Sequence, residues 1–303
     1  MKFEGRDLIS INDLSRDEIE HILDVASKME GIKSPLLEGK ILANMFYEPS
    51  TRTRLSFESA MLRLGGGVIG FSETRTTSLA KGESLEDTVR VIEGYADIAV
   101  IRNWEQGCAQ VCADCAHIPI INAGDGSGEH PTQALLDMYT IRKEKGKIDG
   151  MTVAMCGDLK YGRTVHSLIR ALSLYDVRVK LVSPKGLEMP RAELKAVGKD
   201  IEISEHHDFN DIIKEIDILY ATRIQKERFE DPAEGEKAGI AYRIGLDLLK
   251  QGKDELIVMH PLPRVDEIEK EVDSTTRAFY FQQSQNGVFT RMAILSLLLG
   301  KVK

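Results

Sequence analysis

Ile41-Leu42-Ala43-Asn44-Met45-Phe46-Tyr47-Glu48-Pro49-Ser50-Thr51-Arg52-Thr53-Arg54 decides how the chain is read. Its first six residues are apolar save Asn44, the pattern of a strand buried on both faces. A polar turn follows. Phe57, Ala60, Met61 and Leu64 then recur at helical spacing. A strand that feeds a helix through a short polar turn is the start of a βαβ unit. The turn carries Ser50, Thr51, Arg52, Thr53 and Arg54 in succession. A helix N-terminus offers unpaired N–H groups and partial positive charge, worth about 0.3–2 kcal/mol to an anion. Hydroxyls and guanidiniums add donors that suit a phosphate. A plain N-cap with solvated arginines is the bland alternative. Five donor side chains in a row favour an anion site.

The same alternation extends in both directions. Ser15 is placed to cap a helix whose apolar positions are Ile19, Ile22, Leu23, Ala26 and Met29. Gly65-Gly66-Gly67 ends the helix after the anion turn, and residues 68–71 resume as strand. Leu85, Val89 and Ile92 mark another helix, and residues 98–101 and 118–121 read as strands. Pro131 suits the first turn of a helix running to about Lys145. A charged, glycine-containing break at 146–150 follows, and the series restarts. Residues 152–156, 177–182, 201–204, 218–221 and 256–259 read as strands with helices interleaved, and a last helix closes the chain at about 288–299. No solenoid repeat or low-complexity tract interrupts this order. Two successive series predict an α/β fold of two doubly wound parallel-sheet domains, with the active site in the cleft between them. Ligands in such folds sit at the carboxyl ends of the strands.

Composition narrows the classes. The 303 residues fit two domains better than one. Lys and Arg total 40 against 48 Asp and Glu, a net charge of −8 that argues against a nucleic-acid or membrane-surface binder. The longest apolar stretch, 293–299, is too short for a membrane span, and the start Met1-Lys2-Phe3-Glu4-Gly5-Arg6-Asp7 is too charged for a signal peptide. Four cysteines give no disulfide framework, so a cytoplasmic location is expected. Cys108, Cys112 and Cys115, with His117 close by, could be read as zinc ligands. One helix presents four ligands poorly, so they read instead as a buried helix face, and no metal or cofactor is expected. Cys156 reads as core, His206-His207 as solvated and His260 as structural. Gly124, Gly126 and Gly128 miss the dinucleotide fingerprint and read as the turn before His130.

Ser50-Thr51-Arg52-Thr53-Arg54 resembles the carbamoyl-phosphate signature of the aspartate/ornithine carbamoyltransferase family, and His130-Pro131-Thr132-Gln133 resembles its second signature. In the second half, Asp158-Leu159-Lys160-Tyr161-Gly162-Arg163-Thr164, Thr222-Arg223-Ile224-Gln225-Lys226-Glu227-Arg228 and His260-Pro261-Leu262-Pro263-Arg264 resemble the aspartate-using branch. Ornithine-using members carry a Ser-Met-Gly segment and a cysteine in place of Pro261. The similarity runs in order along essentially the whole chain. It implies transfer of the carbamoyl group of carbamoyl phosphate to the amine of L-aspartate, giving N-carbamoyl-L-aspartate and phosphate, in pyrimidine biosynthesis. It also implies a carbamoyl-phosphate-binding domain at 1–132 plus 286–303 and an aspartate-binding domain at 133–285. An amine on the substrate is the attacking group, which agrees with the lack of a convincing Ser-His-Asp or Cys-His set.

Residue by residue, the resemblance places Ser50, Thr51, Arg52, Thr53 and Arg102 around the phosphate. Thr53, Arg102 and His130 would polarise the carbamoyl oxygen. Gln133 and the backbone carbonyls of Pro261 and Leu262 would take the carbamoyl NH₂ and the incoming amine. Leu262-Pro263 resembles a family position with a cis bond. Arg163, Arg223 and Gln225 would bind the two carboxylates of aspartate, with Lys81 and Leu262 completing the aspartate site. Ser78-Leu79-Ala80-Lys81-Gly82-Glu83 resembles a loop whose serine and lysine enter a neighbouring subunit's site. Ser78 and Lys81 therefore imply a homotrimer with shared sites, against the bland reading of a solvated surface loop. A separate regulatory chain is a possible further partner. Glu48 could pair with Arg163 or Arg228 across the cleft when the domains close, the bland alternative being a surface ion pair of little worth. Asn103-Trp104 and Gly128-Glu129 depart from the family's usual His-Pro and Asn-Gln beside site residues. Gly235 stands near where allosteric relatives carry a domain-closure tyrosine. The alternatives are a carbamoyltransferase for another amino acid such as ornithine, and a non-catalytic phosphate- or nucleotide-binding α/β protein.

Overall fold

The computed structural model describes residues 1–32, 34–72, 82–198, 201–210, 212–224 and 242–302. They form two compact units, Met1–Tyr139 with Gln285–Lys303, and Thr140–Ser284. The sequence reading divides the chain at 132/133 and 285/286, whereas the compact units divide it at 139/140 and 284/285. Both points fall inside helices, and the first helix reads without a break across its boundary.

The first unit is built on β1 (Ile41–Phe46), β2 (Gly67–Phe71), β3 (Ile98–Asn103) and β4 (Ile120–Asp125). All pair in parallel, in the order β2-β1-β3-β4. Connections run through α1 (Arg16–Met29), which precedes β1, then α2 (Thr51–Arg63), α3 (Leu85–Ile92) and α4 (Cys108–Cys115). Helix α5 (Pro131–Lys145) follows β4. Ser15 starts α1 with a capping box, its hydroxyl accepting from the Glu18 N–H while Glu18 accepts from the Ser15 N–H. Ile19, Ile22, Leu23, Ala26 and Met29 are buried, as their spacing predicts. β1 is buried from Leu42 to Phe46, as a central strand must be, whereas edge strand β2 is partly open.

The second unit holds β5 (Thr152–Cys156), β6 (Arg178–Val182), β7 (Glu202–His206), β8 (Ile218–Ala221) and β9 (Ile257–Met259). They too pair in parallel, in the order β7-β6-β5-β8-β9. Helices α6 (Arg163–Leu172) and α7 (Arg191–Ala196) lie between strands, and a final helix spans Tyr280–Leu298. Cys156, Val182, Leu219, Ala221 and Val258 join Phe209, Ile213, Ile216 and Tyr280 in one apolar core.

Strand order decides where each unit offers a crevice. In the first, the chain steps from β1 to β2 on one side and to β3 on the other. In the second, it steps from β5 to β6 on one side and to β8 on the other. The loops leaving two such strands diverge, and ligands bind in the gap at their carboxyl ends. The loops after β1 and β3, and after β5 and β8, are therefore the places to look. Among the described residues, no helix is long and apolar enough to cross a membrane.

Candidate active site

In the first unit the gap is lined by the anion turn, the end of β3 and the turn after β4. Tyr47 N–H donates to Arg102 O at 2.8 Å, which ties the end of β1 to β3. Ser50 takes the N-cap position of α2 in extended conformation, with φ −157° and ψ 105°, but its hydroxyl makes no capping bond. The hydroxyls of Ser10, Ser15 and Ser84 all cap their helices. A helix of 13 residues that leaves its cap unused keeps its first amides available for an anion. Thr51 and Arg52 are exposed on the same turn, and crowding by protein atoms pulls the Arg52 guanidinium below its ordinary pKa through desolvation.

Thr53 is buried, with Oγ1 3.5 Å from His130 Nε2. Thr132 Oγ1 lies 3.5 Å from His130 Nδ1 and accepts from Arg291 at 3.4 Å. The two ring nitrogens of His130 thus face the hydroxyls of Thr53 and Thr132, each of which can donate or accept. Gln133 is buried and donates its amide nitrogen to Asp137 Oδ1 at 2.9 Å. An ionised carboxylate only accepts, so this bond turns the Gln133 carbonyl oxygen into the free acceptor. Arg102 donates to Glu48 Oε1 at 2.9 Å and to Ala123 O at 3.3 Å. The structure therefore gathers Ser50, Thr51, Arg52, Thr53, Arg102, His130 and Gln133 on neighbouring strand ends of one unit. Glu48 is found on Arg102.

The turn before His130 is held by Asp125, which is buried. Its Oδ1 accepts from Asn122 and from the Glu129 N–H, and its Oδ2 accepts from the Gly107 N–H at 2.8 Å. Gly126 has φ 52°, and a Cβ there would stand 2.8 Å from Trp104 O. The two departures from the family pattern have local roles. The Glu129 carboxylate accepts from Ser10 Oγ and from the Ile11 N–H. Trp104 packs edge-on against Tyr47.

Reasoning from sequence missed Asp137 and Arg291. Asp137 is fully buried and Arg291 is 3% exposed, stacked over the Phe57 ring at 4.9 Å. Burial pulls the Arg291 guanidinium down to about 9, and the Asp137 charge opposes it. It stays protonated at neutral pH. The available signal was a lone carboxylate among Ala134, Leu135, Leu136 and Met138, and a lone cation among the apolar residues of the last helix. Opposite charges stranded in apolar helices require each other.

In the second unit, β5, β8 and β9 are neighbours, and their loops carry the remaining described candidates. Asp158 is 1% exposed and accepts from the Lys160 and Tyr161 N–H groups, turning the chain into α6 with Arg163 as its first residue. Gly157, at φ 110°, lies against the Thr222 carbonyl so closely that a Cβ would stand 2.3 Å from that oxygen. Thr222 N–H donates to Cys156 O at 2.8 Å. Arg163 and Arg223 thus leave adjacent strand ends, each half-buried. After β9 the Leu262–Pro263 peptide is cis, and Leu262 has φ 57°. Gln225, Ser78, Lys81, Arg228 and Gly235 lie outside the described residues.

Cys108, Cys112 and Cys156 are buried, and Cys115 is partly buried. Cys108 and Cys112 pack with Ala43, Met45 and Ile101, and burial pushes the Cys108 thiol up to about 12 and Cys112 higher still. Metal ligation needs a thiolate, which these surroundings oppose.

Two family models divide the chain between them. The aspartate/ornithine carbamoyltransferase carbamoyl-P binding domain matches residues 6–143, and the Asp/Orn binding domain of the same family matches residues 149–298. A relative from Archaeoglobus fulgidus, named aspartate carbamoyltransferase catalytic subunit, is 54% identical over 296 residues, covering 96% of this chain and 98% of its own. The catalytic subunit of M. jannaschii aspartate transcarbamoylase superposes with a TM-score of 0.92 at 52% identity, covering 97% of this chain and 98% of its own. Aspartate transcarbamoylase from Trypanosoma cruzi, solved with carbamoyl phosphate and aspartate, gives 0.93 at 40% identity, covering 98% and 96%.

Proposed function

This chain belongs to the aspartate/ornithine carbamoyltransferase family, and from that premise we infer that it is an enzyme transferring the carbamoyl group of carbamoyl phosphate to the amine of L-aspartate. The products are N-carbamoyl-L-aspartate and phosphate. One observation carries the reading. Thr53, Arg102, His130 and the free carbonyl of Gln133 converge on neighbouring strand ends beside a helix N-terminus with an unused cap. Aspartate is the acceptor favoured over ornithine, because Arg163 and Arg223 on adjacent loops offer two cationic forks for two carboxylates.

We assign the phosphate to Ser50, Thr51, Arg52, Thr53 and Arg102. The amine attacks the carbamoyl carbon, the C–N bond forms and the carbonyl oxygen becomes an oxyanion. Thr53, Arg102 and His130 stabilise that charge. Gln133 and the carbonyls of Pro261 and Leu262 accept from the carbamoyl NH₂ and the amine, Leu262 on the side of the aspartate. The carbon–oxygen bond to phosphate then breaks, and the leaving phosphate takes the amine proton. No protein nucleophile takes part, so positioning two reactants supplies much of the rate, roughly 7–11 kcal/mol in favourable cases.

We further propose a homotrimer in which Ser78 and Lys81 complete a neighbour's site, with Gln225 on the aspartate. Exposed Leu55 and Leu62 on one face of α2, and Ile69 on edge strand β2, support an interface there. The reaction belongs to pyrimidine biosynthesis in the cytoplasm, where the buried thiols of Cys108, Cys112 and Cys156 would stay reduced. The relatives' designation as a catalytic subunit supports a separate regulatory chain.

The test is a product assay with carbamoyl phosphate and either L-aspartate or L-ornithine. N-carbamoyl-L-aspartate is expected. Turnover with ornithine and none with aspartate would overturn the reading. For the shared site, chains with Lys81→Ala are mixed with chains carrying Arg52→Ala. Each mixed trimer then holds one intact site, so purified mixed trimers should show about one third of native activity. Confirmed mixed trimers without recovery would rule out sharing.

A further inference from the structure

His260 has no part in the transfer as assigned above, yet it is 2% exposed and bonded on every side. Its backbone N–H donates to Gln283 Oε1 at 2.8 Å. Its ring stands between two partners with opposite demands. The Leu262 N–H points at Nδ1 from 2.7 Å. An amide N–H only donates, so Nδ1 must hold a lone pair. Nε2 then carries the ring proton, and Glu267 Oε1 accepts it at 2.8 Å. The other Glu267 oxygen accepts from the N–H groups of Val265 at 2.9 Å and Asp266 at 3.1 Å. Two oxygens that only accept describe an ionised carboxylate. Burial would raise this carboxyl, but the bonds from His260 and Val265 outweigh it and hold it down at about 2. Imidazole and carboxylate together brace the loop 260–267 from inside.

Leu262, at φ 57°, sits in the left-handed region, which a branched residue holds only where its surroundings impose it. The bond from its N–H to Nδ1 is the imposing contact. We propose that His260 and Glu267 are positioning residues for the transfer. The neutral, Nε2-protonated imidazole holds Leu262 in this conformation and so aims the Pro261 and Leu262 carbonyls at the carbamoyl NH₂ and the incoming amine. The proposal rests on the assignment of those two carbonyls made above. A histidine that only filled space would need the right volume and no fixed tautomer.

The two ring nitrogens are separable by substitution. In His260→Asn the side-chain oxygen stands in for Nδ1 and keeps the acceptor for Leu262. In His260→Gln the amide nitrogen stands in for Nε2 and keeps the donor to Glu267, but Leu262 loses its acceptor. The expected result is a kcat loss of about 100-fold in His260→Gln and under tenfold in His260→Asn, in chains that both unfold cooperatively. Equal losses in the two folded variants overturn the proposal. Should either variant fail to fold, ¹⁵N NMR of the unsubstituted enzyme decides. An unprotonated Nδ1 between pH 6 and 8 (a window set around the ordinary histidine pKa of about 6.5) upholds it, and a protonated Nδ1 refutes it. Absence of any carbamoyl-aspartate from the unsubstituted enzyme would instead refute the assignment of the carbonyls and leave the NMR result standing.

Discussion

Arg102→Ala is expected to lower kcat/KM by about 10³-fold or more while the chain still folds. Removing a single oxyanion donor costs about 10²–10³ in rate, equivalent to roughly 2.7–4 kcal/mol. Arg102 is assigned two tasks, one at the phosphate and one at the carbamoyl oxygen, so its loss should fall at the top of that range or beyond. The substitution also removes the guanidinium that Glu48 Oε1 accepts from at 2.9 Å, so this carboxylate would meet the incoming dianion without that neighbouring positive charge. Arg102→Lys should recover little, because an ammonium does not reproduce a planar fork that bonds Glu48 and Ala123 O together. Initial rates of product formation, with a thermal melt to show a folded chain, measure both. A loss below tenfold would remove Arg102 from the chemistry.

Asp137→Ala is expected to destabilise the chain by about 3–5 kcal/mol, the cost of leaving a buried charge without its partner. A domain's whole stability is about 5–15 kcal/mol, so this is a large share. The reason is Arg291, which lies dry against Phe57 and remains cationic at neutral pH. Denaturant midpoints measure the loss. Adding Arg291→Met should restore most of the stability, since a buried pair exchanged for apolar packing is often neutral. It should not restore activity, because Gln133 loses the carboxylate that turns its carbonyl outward. An unchanged midpoint in Asp137→Ala would show that the cation has another sufficient counter-charge.

The alternation of strands and helices was legible because most elements agree with their own local pattern, although the strand read at 118–121 lies at Ile120–Asp125 and the last helix, read from about 288, begins at Tyr280. Ser15 with its apolar stripe and the run from Ile41 to Phe46 needed no tertiary context. The order of strands was not legible. That β3 lies beside β1 depends on which way each connection crosses the sheet, and no residue states it. This is why Glu48 was expected on a distant arginine. Phe46 and Arg102 are register partners on neighbouring strands, and the separation of 54 positions between Glu48 and Arg102 hides how close the two stand. Arg102 itself looks like an ordinary strand residue and was found only through family resemblance. The anion turn, by contrast, announced itself through five donors at one helix start. Asp137 and Arg291 were visible as lone charges in apolar helices, but nothing local said that each would lie within the other's electrostatic reach. The boundary at 139/140 was hidden because α5 is one uninterrupted helix.

The ion pair between Glu48 and Arg102 means that the guanidinium does not meet an anion as a bare cation. A carboxylate of the chain already occupies part of the guanidinium, so a ligand binds by exchanging counter-ions. An internal carboxylate is always present at high local concentration, and a weak monoanion gains little by replacing it. A phosphate dianion, which under the proposed assignment also engages the helix start and Arg52, would gain more. Under the proposed phosphate assignment, Glu48 would then favour a dianion over a weak monoanion at Arg102.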